Sequence, residues 1–215
     1  MVALDGVQVI VHAFLLFTKY QTIMKKLLAS LLCAIISISV FAQTEHLTFK
    51  GVPIDGTLDE YIGKMEEAGF SYLGKQDGMA LLSGDFAGYK GCIIGVNTLK
   101  SLDVVNSIGV IFPKADDWST LNNTYERLKS MLTQKYGKYN DCVEEFQGYS
   151  QPRTDMDRLN KLRLDSCTWY TIFRTDKGNI ELSIDHKSLI GCYVLLQYFD
   201  DINTNAVEQQ AMNDL

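Results

Sequence analysis

The feature that most limits the fold of this chain is an order of elements: a capped amphipathic helix followed by four short β-prone runs, met twice. In the first round Thr57 and Glu60 stand three apart as a capping box. Leu58, Tyr61, Ile62 and Met65 recur at helical spacing, and Gly69 follows where a left-handed cap is wanted. This predicts a helix over 57–68. Apolar runs at 70–73, 79–86, 92–98 and 104–112 come next, with Gly74, Gly78, Gly88 and Gly91 marking the turns between the first three. In the second round Asp117 caps a helix over 117–136 whose Trp118, Leu121, Tyr125, Leu128 and Leu132 lie on one side, closed by Gly137. Runs at 139–146, 166–174, 179–185 and 192–199 follow. The third of these is the most regular, because Ile180, Leu182 and Ile184 alternate with polar residues, and Asp176-Lys177-Gly178 before it is hairpin chemistry. A lead-in strand at 47–50 precedes everything.

Each helical stripe needs a surface to cover, and alternating strands supply one, so the pattern predicts an α+β fold with the helices packed on antiparallel sheet. The spans from Thr57 to Val110 and from Ser119 to Val194 agree in length once the 18-residue polar stretch 148–165 is set aside. That agreement predicts tandem duplication of a helix plus four-stranded antiparallel sheet unit. The first unit would occupy 43–112 and the second 113–215, the latter with the polar insert 148–165 and a C-terminal tail. A single α+β domain whose halves are alike by chance gives the same order.

The stretch 24–43, MKKLLASLLCAIISISVFAQ, has the parts of a secretory signal peptide: a basic start at Lys25 and Lys26, an apolar run, and small residues leading to Ala42. The expected signal peptide is 24–42, and residues 1–23 read as a start codon placed too far upstream. An uncleaved N-terminal anchor is the rival, although neither apolar run reaches the ~20 residues a bilayer span needs. Cys33 lies inside the apolar run after Leu32, where lipid attachment needs a small residue, so lipidation is not expected. The chain should therefore be periplasmic or secreted, with no stable membrane span after cleavage.

Removing 42 of the 215 residues leaves 173, long enough to build a core without help. The removed part carries Lys19, Lys25 and Lys26 against Asp5, so the net charge of −6 becomes −8. Such a chain lacks the basic face that nucleic acid or an anionic membrane requires.

Four cysteines remain: Cys92, Cys142, Cys167 and Cys192. An even number in an exported chain predicts disulfides. Cys142 and Cys167 lie in the runs flanking the polar insert, where a hairpin would bring them opposite each other, and a Cys92–Cys192 bridge would join the two units. The other reading makes all four small buried hydrophobes. There is no CxxC and no metal-ligand spacing, so no metal and no cofactor are expected.

Motifs for catalysis are wanting, and no catalytic residue is assigned. His46 and His186 are the only histidine bases after the signal. His186 adjoins Asp185, but neighbours on a strand point to opposite faces. His46 falls in an N-terminal segment expected to fray. The acidic doublets Glu144-Glu145, Asp116-Asp117 and Asp200-Asp201 read as solvated surface or helix caps. Asp201, Asn203 and Asn205 imitate a calcium loop that fails at Ala206 and Met212. The insert 148–165 is the most informative irregular segment, since long loops in compact domains are usually functional or disordered. Tyr149, Arg153, Arg158, Lys161 and Arg163 make it a candidate partner-binding arm. Thr154 or Asp155 can start a short helix there, with Met156, Leu159 and Leu162 on one side.

The phrases FKGVPIDGTLDEYIGKMEEAGF, SGDFAGYKGC, VIFP, YERLKSMLTQKYGKYN and LLQYFDDIN resemble a group of small secreted proteins of unknown function from gut-dwelling Gram-negative bacteria. The resemblance implies export and an α+β fold, and carries no activity. In architecture alone, a tandem helix-plus-antiparallel-sheet unit is similar to the β-lactamase inhibitory protein fold. The reading is an exported non-catalytic binding or inhibitory module for an unidentified protein or glycan. Its alternatives are a secreted hydrolase acting on polysaccharide or peptidoglycan through a carboxylate pair, and a structural or assembly component of the cell envelope. N-terminal sequencing of exported protein should find Gln43 or a close neighbour first; recovery of residues 1–42 on the mature protein would contradict the signal.

Overall fold

The computed structural model describes residues 46–76, 78–99, 103–187 and 191–213; the expected signal peptide 24–42, its expected cleavage position and residues 1–23 lie outside them. Ten strands and four helices follow one another in the described chain. A two-strand flap, β1 (Thr48–Phe49) and β2 (Val52–Pro53), leads to α1 (Leu58–Glu67) and then to β3 (Ser71–Gln76), β4 (Met79–Phe86), β5 (Tyr89–Leu99) and β6 (Val104–Ile111). The second run consists of α2 (Trp118–Tyr136), β7 (Asp141–Phe146), α3 (Asp155–Arg163), β8 (Cys167–Arg174), β9 (Gly178–Lys187), β10 (Gly191–Asp200) and α4 (Asp201–Asn213).

Both main helices start where their caps predict. Thr57 accepts from the Glu60 N–H while Glu60 reaches back to the Thr57 N–H. Asp117 accepts from the Thr120 N–H at 2.7 Å. The buried residues of α1 are Leu58, Tyr61, Ile62 and Met65, and those of α2 are Trp118, Leu121, Tyr125, Leu128 and Leu132. Those are the two stripes read from the sequence.

Strands β3 to β10 form one eight-stranded antiparallel sheet in the order β3-β4-β5-β6-β10-β9-β8-β7. The chain enters at one edge, meanders inward to β6, restarts at the other edge and meanders inward again to β10. The two runs meet where Ile111, Val110, Gly109, Ile108 and Ser107 of β6 pair with Leu195, Leu196, Gln197, Tyr198 and Phe199 of β10. Across that seam the alternation of both runs is in phase. Leu82, Ile94, Val96, Ile108, Val110, Leu196, Ile180 and Leu182 all point to one side, and all are buried in one apolar cluster with the helical stripes. Thr44–Leu215 accordingly make one compact unit.

The flap covers the same side. Phe49 stacks on Phe86 at 4.9 Å and meets Tyr198 edge-on at 5.5 Å. Asp200, fully buried, accepts from the Leu47 N–H at 2.7 Å and from the Asn203 N–H at 3.0 Å, and its carboxylate lies 3.1 Å from His46 Nδ1. His46 is thus tied to the end of the last strand, where fraying was expected, because a buried carboxylate needs every donor within reach. The expected C-terminal tail is the helix α4, with Asn203 donating to the carbonyls of Ile54 and Val105. No helix among the described residues is long and apolar enough to cross a membrane.

Two substitutions test this packing. Leu128 is 2% exposed, so Leu128→Ala should cost about 2–5 kcal/mol in chemical denaturation. A Cβ on Gly178 would sit 2.0 Å from the Phe199 carbonyl oxygen, on backbone already at φ +150°, so Gly178→Ala should lower the melting temperature by several degrees. A loss at Leu128 below about 0.5 kcal/mol, of the size seen at surface positions, would mean the helix is in the wrong phase.

Candidate functional site

The side of the sheet opposite the helices has no element packed on it among the described residues. Its middle row runs across six strands as Leu81, Gly95, Gly109, Gln197, Glu181 and Ile172, and the next row includes Ile93, Ile111, Leu195, Ser183 and Tyr170. Apart from Gly95 these residues are only half-buried, in contrast to their fully buried neighbours on the helical side. Met79 lies over Gly95, whose added Cβ would come within 2.6 Å of its sulfur. Gly109 is different. A Cβ there would meet nothing closer than Leu195 Cδ1 at 3.9 Å, and its φ lies outside the left-handed region. Glycine weakens a strand interior and is kept where another backbone or a ligand approaches closely. Here neither packing nor backbone conformation calls for it.

Beside this low centre stands the carboxyl of Glu181, between Gln197 and Ile172; the row ends on β7 at Asp141, which accepts from the Tyr170 hydroxyl at 3.1 Å. It has no hydrogen-bond or ion-pair partner among the described residues, and partial burial raises its pKa above the ordinary 4.5. The surface is therefore a shallow tray, mainly apolar over β4 to β6 and mixed in polarity over β8 to β10, with an uncompensated acceptor in its floor.

The insert that the sequence singled out is folded down on the helical side. Thr154 and Asp157 cap α3 reciprocally, and Leu159 and Leu162 are buried against α2 and the sheet, while Met156 points outward. Arg158 pairs with Asp155 at 3.0 Å and Lys161 Nζ donates to the Gln147 carbonyl at 2.7 Å. Arg153, Arg163 and Tyr149 are exposed. Tyr149, Arg153 and Lys161 line an open depression of about 720 Å³ together with Asp157 and Leu164. The five arm residues are thus divided, two holding the arm in place and three facing water.

The expected disulfides are absent: Cys92, Cys142, Cys167 and Cys192 are free thiols. Strands β7 and β8 do form a hairpin, but its register puts Cys142 opposite Thr171 and Cys167 opposite Phe146. The four-residue offset separates the sulfurs' strands positions by ~13 Å at ~3.3 Å per residue, about twice the Cα separation a bridge tolerates. Cys92 and Cys192 lie on β5 and β10 with β6 between them, so two strand spacings of ~4.8 Å keep them apart. Burial pushes the Cys167 thiol up to about 12, which makes it inert.

Other candidate groups are structurally engaged. Glu144 accepts from Lys129 and from the Cys142 thiol; burial opposes its ionisation, but these bonds outweigh it and hold the carboxyl below its usual range. His186 meets Asp165 at 3.0 Å. Asp117 caps α2 and Asp200 is the buried carboxylate described above. Among the described residues no group of three His, Cys, Asp or Glu side chains is placed to hold a metal ion. No family model, curated protein or solved structure matches the chain.

The tray itself was only half legible. The polar residues alternating through 179–185 marked one side of β9 as wet, but on β10 only Gln197 breaks an otherwise apolar run, which gave little such sign. A pH series follows from Glu181. A raised folded-state pKa means that ionising the carboxyl costs the folded protein stability. The penalty is absent below the ordinary value and grows as pH rises through the shifted one. Glu181→Gln should therefore melt higher than the parent at pH 7 and level with it near pH 4, as followed by circular dichroism.

Proposed function

We propose that the chain is an exported, non-catalytic binding module that seats a protein partner on the uncovered face of its sheet. The observation that carries this reading is Gly109, a glycine at the centre of the tray that neither packing nor backbone conformation requires. The partner inferred from the surface is a protein with an apolar centre and a lysine or arginine set to meet Glu181. An unpaired carboxyl in the floor and a chain net charge of −6 both favour a basic partner. Extent supports it too. Eight strands at ~4.8 Å spacing span roughly 34 Å, and about six residues along the central strands add about 20 Å. That is close to the ~800 Å² per partner of a standard specific interface.

A duplicated origin fits the same reading. The supports for it are the recurrence of a helix and four meandering strands, and the meeting of the two runs through their last strands. A sheet assembled from two such units doubles the width of the face that one unit would offer.

Export through the signal 24–42 into the periplasm or beyond is part of the proposal, and so is a secondary contribution to binding from the arm residues Tyr149, Arg153 and Arg163. A photo-crosslinking side chain placed at Leu195 tests the site in the native cell envelope, with Glu126 on the exposed side of α2 as control. The expected result is a discrete protein adduct from position 195, none from 126, and loss of the adduct in Gly109→Val and Glu181→Arg. Gly109→Val should leave the melting temperature unchanged or higher, since a β-branched residue suits a strand. Equal adducts at both positions, or an adduct indifferent to both variants, would overturn the reading; an adduct of twice the chain's mass would favour envelope self-assembly instead.

A further inference from the structure

The two tryptophans of the chain, Trp118 and Trp169, are 51 positions apart and meet edge-on with centroids 4.9 Å apart. Phe146 completes the group, 5.0 Å from the first and 5.1 Å from the second. Trp118 opens α2, Phe146 ends the edge strand β7 and Trp169 lies in β8, so three separate elements bring these rings together. They form the apolar side of a depression of about 440 Å³, a volume within the ordinary range of small-molecule sites.

The other side of the depression is polar and fixed. Asp155 accepts from both the N–H and the hydroxyl of Ser119, at 3.2 and 2.5 Å, and from Arg158 at 3.0 Å. Carboxylate and guanidinium thus neutralise each other in place, and neither has to be reorganised to receive a ligand. Asn122 and Asn123 complete the rim. Consecutive asparagines in the second turn of a helix are poor local choices, because their side chains compete for the backbone. Neither has a hydrogen-bond partner among the described residues that would explain them. The indole N–H of Trp169 is also buried without an acceptor, a deficiency that costs stability wherever it is left standing.

Rings on one side, amide donors and acceptors on the other, and no net charge between them define the ligand's chemistry. It has an apolar face to lie on the rings and many hydroxyls for the rim, and it carries no formal charge. A phosphate, carboxylate or ammonium compound would find its charge uncompensated. We propose that the depression between the start of α2, the arm helix α3 and the ends of β7 and β8 binds a neutral carbohydrate, with a sugar ring against the tryptophans. Asn122, Asn123 and the Asp155–Arg158 pair bind its hydroxyls. The site lies on the helical side of the sheet, away from the tray, so its occupancy is independent of the protein-binding reading.

Because every tryptophan of the chain is in the site, its intrinsic fluorescence reports occupancy directly. The mature chain would be titrated with the β-1,4-linked N-acetylglucosamine tetramer, cellotetraose and maltotetraose, with calorimetry as a second readout. The expected result is a saturable change in emission with at least one of them. Response to the amino-sugar tetramer alone would point to wall-type glycans, and response to the glucose oligomers to neutral polysaccharide. Asn123→Ala, at an exposed position, and Trp169→Phe should each weaken calorimetric binding by about tenfold or more, with folding checked by circular dichroism, while Glu181→Gln should bind as the parent does. Failure of all three oligosaccharides to give a saturable response overturns the proposal, and so does binding that is unchanged in both Asn123→Ala and Trp169→Phe; either result leaves the aromatic group a packing feature only.

Discussion

Everything in this fold depends on the antiparallel seam between β6 and β10. Without it the chain would hold two four-stranded meanders, each ending in an apolar strand with unpaired N–H and C=O groups along its edge, an arrangement prone to pairing with other chains. Joining them removes both edges at once and leaves the outer limits to β3, with exposed Lys75 and Gln76, and to β7, with exposed Asp141, Glu144 and Glu145. The seam also sets phase. A slip of one residue would turn Ile108 and Val110 toward the tray and Gly109 toward the helices. The register Gly109↔Gln197 is thus what keeps the apolar core on one side and the low centre on the other.

The covered side is closed by groups from both ends of the described residues. The α1 and α2 stripes are buried along the sheet, and the lower end of the central strands is sealed by the flap and by α4. Asp200 is the pivot there, because a fully buried carboxylate persists only when donors surround it. Its donors come from the N-terminal segment and from the first turn of α4, and Asn203 extends the same network to the carbonyls of Ile54 and Val105. The segment leading into the flap and the start of α4 are therefore fastened at one point. The tray, by contrast, has no such attachment, and its residues reach half-burial only through their own neighbours.

How far the sequence discloses this structure depends on the range of each interaction. The helices α1 and α2 were legible to within a residue because capping boxes, stripes and terminal glycines are all local signals. The helix inside the arm was legible for the same reason. The strand runs were also visible, since alternation is a property of a single strand. What alternation does not contain is the partner of a strand or its register. The seam was therefore invisible, and the Cys142–Cys167 bridge, inferred from flanking positions alone, was off by four residues in a hairpin that does form. Helix α4 was missed because it has almost no apolar stripe; Asp200 as its cap and Asn203 as its anchor hold it. Trp118 was legible only as part of the α2 stripe and Trp169 carried no signal of its own in the run 166–174, and only the placement of α2 over β8 brings them together.

The tray and the aromatic depression are built differently, and the difference bears on how each can bind. The tray is a run of paired strands whose backbone groups already bond one another, so a partner meets a surface that is ordered beforehand and loses little entropy in fitting to it. Its polar element is a carboxyl that gains by being paired, which rewards a basic partner and penalises an acidic one. The depression is assembled from a helix start, a strand end and the arm; Asp155, Ser119 and Arg158 bond one another, while Asn122, Asn123 and the Trp169 indole N–H have no partner among the described residues. Fixing α3 through Lys161 to Gln147 and through Asp155 to Ser119 is then what holds its rim in position. On that argument the insert matters less for the three residues it exposes than for the wall it contributes. The long polar segment between β7 and β8 is kept folded by its two buried leucines so that Asp155 and Arg158 stand opposite the rings.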